Sequence, residues 1–232
     1  MMITPSIVTV LWATALVGSV ASVPLEPRQG GCCASTSGGK SASTSGGNSA
    51  STSQAGRITI GYRTVHPDQA RAYNREHRLV YNPGLTRGAA QIGKGVYLTP
   101  GPGQWVGNPG DWHCHVTANK KAVENVLKAW IPENTWWNIN KQYEWAAKQT
   151  VNKVKVDDEA FNRALRMSKI DKTDDPGVKF AKGAKQLLIP SDLVNDRDLD
   201  IQVDCKKEWK RLPDNVVVDY RSWKKNVIGK PQ

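Results

Sequence analysis

Histidine and cysteine are scarce in this chain, whose 232 residues include 4 His and 4 Cys. His113 and His115 lie two positions apart in a strand-like run and therefore share a face, which is how a metal site can begin. A zinc site needs a third and a fourth ligand, and no cluster of His, Cys or carboxylates supplies them. We therefore expect no metal site. We also set aside a secreted basic nuclease, because no sequence pattern pairs a His with the Lys or Glu that such a nuclease would use for general acid–base catalysis.

Charged side chains are missing from residues 1–25, and residues 7–21 are almost wholly apolar. That stretch is shorter than the roughly 20 apolar residues that span a bilayer, and it ends in Ser19-Val20-Ala21, a small-x-small pattern that signal peptidase accepts. A retained anchor is the alternative, which the length disfavours. We expect residues 1–21 to be a signal peptide and the protein to be secreted and extracellular. No later segment is apolar enough to form a transmembrane span.

The cysteines fit export, because an even count in a secreted chain is typical of disulfides. Cys114 and Cys205 end or interrupt strand-like runs, and we expect them to pair with each other. Cys32 and Cys33 are adjacent, and either pair with each other or bond to another chain.

Acidic residues are outnumbered, which gives a net charge of +11. Such a charge attracts polyanions, namely nucleic acid, anionic membrane surfaces or acidic glycans, but a basic balance also simply keeps a secreted protein soluble. The tightest cationic cluster is Lys206-Lys207 with Lys210-Arg211, which we interpret as a solvated face.

Composition divides the chain into a signal peptide (1–21), a linker (22–56) and a folded domain (57–232). Residues 34–56 repeat an Ala-Ser-Thr-Ser-Gly-Gly pattern, which has nothing to bury and is typical of a flexible tether that carries O-linked sugars. Strands and helices do not alternate strictly in residues 57–232, so we expect one α+β domain. Strands are predicted at 58–63, 95–99, 112–118, 185–189, 199–205 and 215–220. Helices are predicted at 67–77, 120–130, 141–150 and 157–167.

Three short segments carry candidate chemistry. The first is Gly61-Tyr62-Arg63-Thr64, whose guanidinium offers a planar, charged fork to a phosphate or carboxylate. The second is Gly93-Lys94-Gly95-Val96-Tyr97-Leu98-Thr99, where Tyr97 and Thr99 share a strand face. The third is Lys185-Gln186-Leu187-Leu188-Ile189, a late strand that opens with polar residues.

In this order the three segments resemble the ADP-ribosyltransferase superfamily, in its poly(ADP-ribose) polymerase and diphtheria-toxin branch. Members of that branch have an aromatic-His motif on an early strand, then a Gly-Lys-Gly-Ile-Tyr-like strand, then a late strand with an acidic residue or Gln. Gly93-Lys94-Gly95-Val96-Tyr97 is a near match to the middle motif. Arg63 departs from the family His and is similar to the Arg of the cholera-toxin-like branch.

The resemblance implies a single domain of two small packed antiparallel-type sheets with helices, and NAD as the cofactor and substrate. Tyr97 would stack on the nicotinamide, and Gly61 would hydrogen-bond its carboxamide. Arg63 would brace the cleft and the phosphates. Thr64 and Thr99 would line the cleft, and Gln186 would stand where the family has its catalytic Glu.

The function implied is that of a monomeric, fungal-type secreted toxin or virulence effector. It would transfer ADP-ribose from NAD to a host protein, or hydrolyse NAD. The alternative is a catalytically inactive effector that keeps the fold and binds a host macromolecule through its basic surface. The chain has 9 Trp. We expect Trp105 and Trp112 to line the cleft or to form a lid, and we expect core packing for four others (Trp130, Trp136, Trp137, Trp145).

Overall fold

Strands and short helices are combined in this chain, which confirms the predicted α+β class. The computed structural model describes residues 56–85, 90–171 and 183–232. The predicted signal peptide, Cys32, Cys33 and the predicted linker up to residue 55 lie outside the described residues. All described residues belong to one compact unit that spans Asn48–Gln232.

The described strands are, in chain order, β1 (Arg57–Val65), β2 (Gly95–Leu98), β3 (Trp112–Asn119), β4 (Lys128–Trp130), β5 (Thr150–Val151), β6 (Val154–Lys155), β7 (Leu165–Lys169), β8 (Lys185–Pro190), β9 (Gln202–Lys206) and β10 (Val227–Ile228). The helices are α1 (Pro67–Glu76), α2 (Lys120–Asn125), α3 (Ile139–Ala146), α4 (Asp158–Asn162) and α5 (Ser191–Asn195). Single 3₁₀ turns occur at Pro83–Leu85, Glu133–Thr135, Trp209–Arg211 and Tyr220–Ser222.

Local sequence accounts for where the helices begin. Helix α1 starts with Pro67, whose missing N–H costs nothing at a first helical position, and the His66 side chain accepts a hydrogen bond from the Asp68 N–H. Asn119, Asn138 and Asp157 cap α2, α3 and α4 in the same way.

Two main sheets carry the fold. One contains three antiparallel strands in the order β1-β3-β9, and the other contains five strands in the order β10-β4-β7-β8-β2. The five-stranded sheet is mixed, because β4 pairs in parallel with both β7 and β10. The expectation of antiparallel-type sheets was therefore wrong for this sheet. The chain leaves β4, forms α3 and α4, and returns to β7, and such a long connection permits parallel pairing.

Apolar side chains cover both faces of the five-stranded sheet. Val96, Leu187 and Met167 lie in a large core cluster with residues of the three-stranded sheet and α1. Leu188 and Ala129 lie in a second cluster with Phe161 of α4. Strands that are buried on both faces read as continuous apolar runs without a period of two, so they are easily mistaken for buried helix.

That ambiguity explains two wrong predictions. The helix expected at 120–130 ends at Asn125, and its last residues form β4. The helix expected at 157–167 ends at Asn162, and β7 follows it. The strand expected at 215–220 does not form either; its Val216 and Val217 are exposed, and the chain there enters a 3₁₀ turn at Tyr220.

The disulfide between Cys114 and Cys205 confirms the predicted pairing. The two residues stand directly opposite each other in the pairing of the central strand β3 with the edge strand β9. None of the helices in the described ranges has the length and apolar character needed to cross a bilayer.

The two sheets meet where β1 touches β2. Tyr62 and Thr99 exchange backbone hydrogen bonds of 2.8 Å in both directions. Gly61 makes this approach possible, because a Cβ at this position would lie 2.9 Å from Leu98 Cβ, from Thr99 O and from Tyr220 Oη. Its φ of +152° is also a conformation that other residues rarely adopt.

We expect Gly61→Ala to lower the free energy of unfolding by about 2–5 kcal/mol, because overpacking adds to an unfavourable backbone conformation. Urea unfolding followed by circular dichroism measures this. Gly110→Ala is the matched control, since Gly110 also has a positive φ (+89°) but no atom within 4 Å of the added Cβ. Equal destabilisation of the two variants would mean that the close approach of the sheets contributes nothing.

Candidate functional site

The three segments singled out in the sequence lie on neighbouring strands. Strand β2 contacts β1 through the Tyr62–Thr99 bridge and pairs with β8 along its whole length. Tyr97 stands opposite Leu188 in that pair. Because Gln186 is two residues from Leu188, its side chain projects from the same face of the sheet as Tyr97. Residues far apart in sequence thus lie on neighbouring strands at the β2 end of the five-stranded sheet.

Tyr97 is held in place by its hydroxyl group. The hydroxyl donates to Gly93 O at 2.8 Å and accepts from the Ile92 N–H at 3.1 Å. Burial raises the pKa of this phenol above its ordinary value. Both hydrogen-bonding functions of the hydroxyl are therefore engaged within the preceding loop, and what the side chain offers to a ligand is its partly exposed ring.

Arg166 of β7 holds the loop that contains Ile92 and Gly93. Its buried guanidinium donates to Ile92 O at 3.2 Å and to Phe161 O at 3.0 Å, and it lies over the Phe161 ring at 4.1 Å. A Cβ on Gly93 would lie 2.4 Å from the Arg166 Nη1 atom. The first glycine of the Gly-Lys-Gly motif is thus required by the packing of this arginine.

Arg63 links β1 to β2. Its Nη1 atom donates to Tyr97 O at 3.2 Å, while its Nε is buried without a hydrogen-bond partner among the described residues. Burial lowers the pKa of the guanidinium, although an arginine of such high pKa remains a cation at neutral pH. The half-buried cation therefore retains unused hydrogen-bonding capacity beside the Tyr97 strand.

The two predicted threonines lie in different places. Thr99 is buried at the junction, where its hydroxyl lies 3.1 Å from Gly101 O and 3.3 Å from Tyr62 O. Thr64 instead donates to Trp105 O at 2.6 Å and contacts His113 Nδ1 at 3.1 Å. Thr99 therefore lies beside Gly61, where the two sheets meet, whereas Thr64 is hydrogen-bonded to the loop that contains Trp105.

Gln186 belongs to a buried amide network. The side chain is only 5% exposed, and its Nε2 donates to Gln91 Oε1 at 2.8 Å and to Ser168 Oγ at 3.1 Å. Ser168 stands directly opposite Gln186 in the β7–β8 pair. The Gln186 amide nitrogen therefore faces two acceptors.

The orientation of these amides follows from backbone groups. The Gln91 Oε1 atom accepts from the Asp171 N–H at 3.0 Å, and its Nε2 donates to Lys169 O at 2.9 Å. A flipped Gln91 amide would set its NH₂ against a backbone N–H and its oxygen against a carbonyl. The Gln91 atom that faces Gln186 is therefore an oxygen, which can only accept a hydrogen bond. Gln186 must consequently donate to it through its NH₂ group.

The four tryptophans expected in the core do not behave alike. Trp130 is fully buried, and Trp136 and Trp145 pack against the second core cluster, as predicted. Trp137 is 48% exposed, so the prediction of core packing was wrong for it. Its φ is +63°, and its backbone N–H donates to Gln91 O at 2.8 Å. The turn before α3 points this indole outward because Gln91 fixes its backbone.

His113 and His115 share the outer face of the three-stranded sheet, as predicted. His115 Nε2 lies 2.9 Å from Thr59 Oγ1, which donates to Asp214. Burial lowers the pKa of both imidazoles. No group of three or more potential ligands that could hold a metal ion occurs in residues 56–85, 90–171 and 183–232.

Sequence reasoning missed Gln91, Ser168 and Arg166. Gln91 precedes the Gly-Lys-Gly motif by two residues, and that nearness to a candidate motif was the available signal. Arg166 lies within the predicted helix at 157–167 and Ser168 lies directly after it, so neither residue could be assigned to a face of strand β7.

We expect Gln186→Glu to lower stability by about 1–3 kcal/mol at pH 7, because a buried carboxylate oxygen would face the Gln91 oxygen. The introduced carboxyl would have a pKa above the ordinary value in the folded protein. Stability therefore decreases as pH rises through that range, and the loss is smallest in acid, where a protonated carboxyl can donate to Gln91. Urea unfolding of variant and parent at pH 7 and pH 5 measures the difference.

Gln186→Met is the control for this prediction, since methionine has similar length and carries no charge. Its destabilisation relative to the parent should not change between the two pH values. A Gln186→Glu variant as stable as the parent at pH 7 would contradict the assigned amide orientation.

Residues 90–230 match the model of a protein family described as a family of unknown function (DUF5910). The matched range contains Gln91, Trp137 and Gln186, whereas Gly61 and Arg63 precede it. No curated protein and no solved structure matches the chain. Because the match covers more than half of the 232 residues, the chain belongs to the DUF5910 family.

Proposed function

We propose that this protein is a secreted NAD-dependent mono-ADP-ribosyltransferase or NAD glycohydrolase of the ADP-ribosyltransferase superfamily, acting as a toxin or virulence effector. The observation that carries the proposal is the meeting of the three motif strands. The resemblance needs Arg63, Tyr97 and Gln186 to serve one cleft, and β1, β2 and β8 are neighbours. Nothing in their sequence positions alone requires that arrangement.

The chemistry of these side chains suits a dinucleotide. Arg63 is partly exposed and provides a permanent cation for a phosphate group. The Tyr97 ring is fixed by its hydroxyl and offers a flat apolar surface to the nicotinamide. Gln186 lies on the same sheet face as Tyr97, where a ribose attached to that nicotinamide would lie.

In the proposed reaction the glycosidic C–N bond of NAD breaks, and nicotinamide leaves with the bonding electron pair. Positive charge develops on the ribose, and an acceptor oxygen or nitrogen bonds to the ribose carbon and releases its proton. A carboxylate would stabilise that charge more strongly than the neutral Gln186 amide does. Gln186 therefore acts mainly by positioning the ribose, and we expect slow turnover.

Release of free nicotinamide from NAD, measured with and without cell lysate, tests this proposal. We expect Tyr97→Ala and Arg63→Ala to abolish NAD binding and release, because they remove the stacking surface and the cation. Tyr97→Phe keeps the ring and should retain binding. Label transferred from NAD to a lysate protein would identify a transferase. Unchanged NAD binding in both alanine variants would contradict the site.

A second candidate function rests on a different surface. Lys207 lies 5.8 Å from the centre of the Trp112 ring, and Lys210 lies 5.8 Å from the centre of the Trp209 ring. We name these four residues the basic aromatic surface. The neighbouring cations Lys206 and Arg211 are paired with Asp204 and Glu208. Cations beside partly exposed indoles are the elements that bind single-stranded nucleic acid, which fits a non-catalytic effector that binds a host polyanion.

Binding of single-stranded RNA at increasing salt tests this second function. We expect Lys207→Ala/Lys210→Ala to reduce the slope of log K against log salt by roughly 0.7 for each phosphate that the variant no longer neutralises. Lys148→Ala/Lys155→Ala is the matched control, since it removes the same charge from exposed positions elsewhere. Equal effects of the two double variants would show that only net charge matters.

A further inference from the structure

Trp137 is held in a conformation that its own packing does not explain. A positive φ of +63° is strained for a bulky aromatic residue, and such strain persists only where the surroundings impose it. The adjacent Trp136 lies at the same turn, donates to Ile131 O at 3.1 Å and packs against the core. Trp137 instead exposes 48% of its surface.

Hydrogen bonds fix Trp137 at its backbone nitrogen and at its ring nitrogen. The backbone N–H donates to Gln91 O at 2.8 Å, and the ring Nε1 donates to Asp171 Oδ2 at 2.9 Å. The Asp171 N–H in turn donates to Gln91 Oε1 at 3.0 Å. These bonds form a closed circuit through Gln91, Asp171 and Trp137. The indole is therefore preorganised, with its polar atom occupied and much of its ring open to solvent.

The same circuit contains the acceptor that orients Gln186. Gln91 Oε1 accepts from both the Asp171 N–H and the Gln186 Nε2. Gln91 therefore connects the two groups, because its backbone O accepts from the Trp137 N–H and its side-chain Oε1 accepts from the Gln186 amide. A ligand whose sugar contacts Gln186 would have the Trp137 ring at the edge of its binding site.

We propose that Trp137 forms a stacking subsite for a planar heteroaromatic base that is attached to a sugar bound against Gln186. A rigid, half-exposed indole loses little conformational freedom when a ring stacks on it. The base belongs either to NAD or to a nucleobase acceptor. The inference rests on the proposed NAD cleft for the first source only.

Trp137→Gly is the variant of choice, because glycine tolerates the positive φ and keeps the backbone N–H that donates to Gln91 O. Its thermal melting should stay close to that of the parent. Trp137→Phe retains a ring in the same place. Ile139→Ala is the control, since Ile139 is an exposed apolar residue two positions away, at the start of α3.

Calorimetric titration of the full chain is carried out with NAD, nicotinamide mononucleotide, ADP-ribose and a short single-stranded oligonucleotide. We expect Trp137→Gly to weaken the binding of at least one of these ligands by roughly 5- to 100-fold, which is the effect of removing one base-stacking surface. Trp137→Phe should retain most of the affinity, and Ile139→Ala should retain all of it.

The four ligands separate the sources of the base. Weaker binding of NAD and ADP-ribose alone assigns the adenine to Trp137, and weaker binding of NAD and nicotinamide mononucleotide alone assigns the nicotinamide. An effect confined to the oligonucleotide assigns an acceptor base. If Trp137→Gly binds all four ligands as the parent does, the inference is overturned, while NAD binding that depends on Tyr97 would leave the proposed function standing.

If the parent binds no NAD, the proposed function fails and the oligonucleotide alone decides the inference. Oligonucleotide binding that depends on Trp137 would then support the stacking subsite. Its absence would overturn it.

Discussion

The backbone pairing of Tyr62 with Thr99 joins the three-stranded sheet to the five-stranded sheet, and the position of Arg63 beside the Tyr97 strand depends on it. The pairing brings Arg63 within hydrogen-bonding distance of Tyr97 O. It is possible only because Gly61 has no Cβ, since Leu98, Thr99 and Tyr220 already occupy that space. The large core cluster shared by the two sheets holds them together in addition to this junction.

A second constraint is the set of buried amides around Gln91. Backbone groups of Lys169 and Asp171 fix the Gln91 amide, which in turn fixes Gln186. Buried polar networks of this kind are stable only when each donor faces an acceptor. The network therefore favours an amide at position 186 over the carboxylate that the resemblance would place there. This is why the proposed chemistry relies on positioning the ribose and on the cation of Arg63 more than on direct charge stabilisation.

The sequence predicts those parts of the fold that depend on local patterns. The expectation of export and the strand-like runs were enough to pair Cys114 with Cys205, and the helix starts predicted near Pro67 and Asp157 were correct. Strand β4 and the first three residues of β7 were predicted as helix, because burial on both faces removes the alternation that identifies a strand. The prediction of the α+β class was nevertheless correct, because enough of the other strands had clear sequence signals.

The candidate site was predictable only where a recognisable motif existed. Arg63, Tyr97 and Gln186 came from the motif order, whereas Ser168 and Gln91 contact Gln186 through pairings that only the folded chain creates. Trp137 was predicted as a core residue, since no local feature separates it from Trp136. The difference arises from a hydrogen bond between Trp137 and Gln91, a residue distant in sequence.

A crystal structure of the protein with a non-hydrolysable NAD analogue would show whether the three motif strands form an NAD site. We expect the nicotinamide ring against Tyr97, a phosphate oxygen at the Arg63 guanidinium, and the adjoining ribose facing Gln186. An analogue bound elsewhere at saturating concentration, with the β1–β2–β8 junction empty, would contradict this expectation.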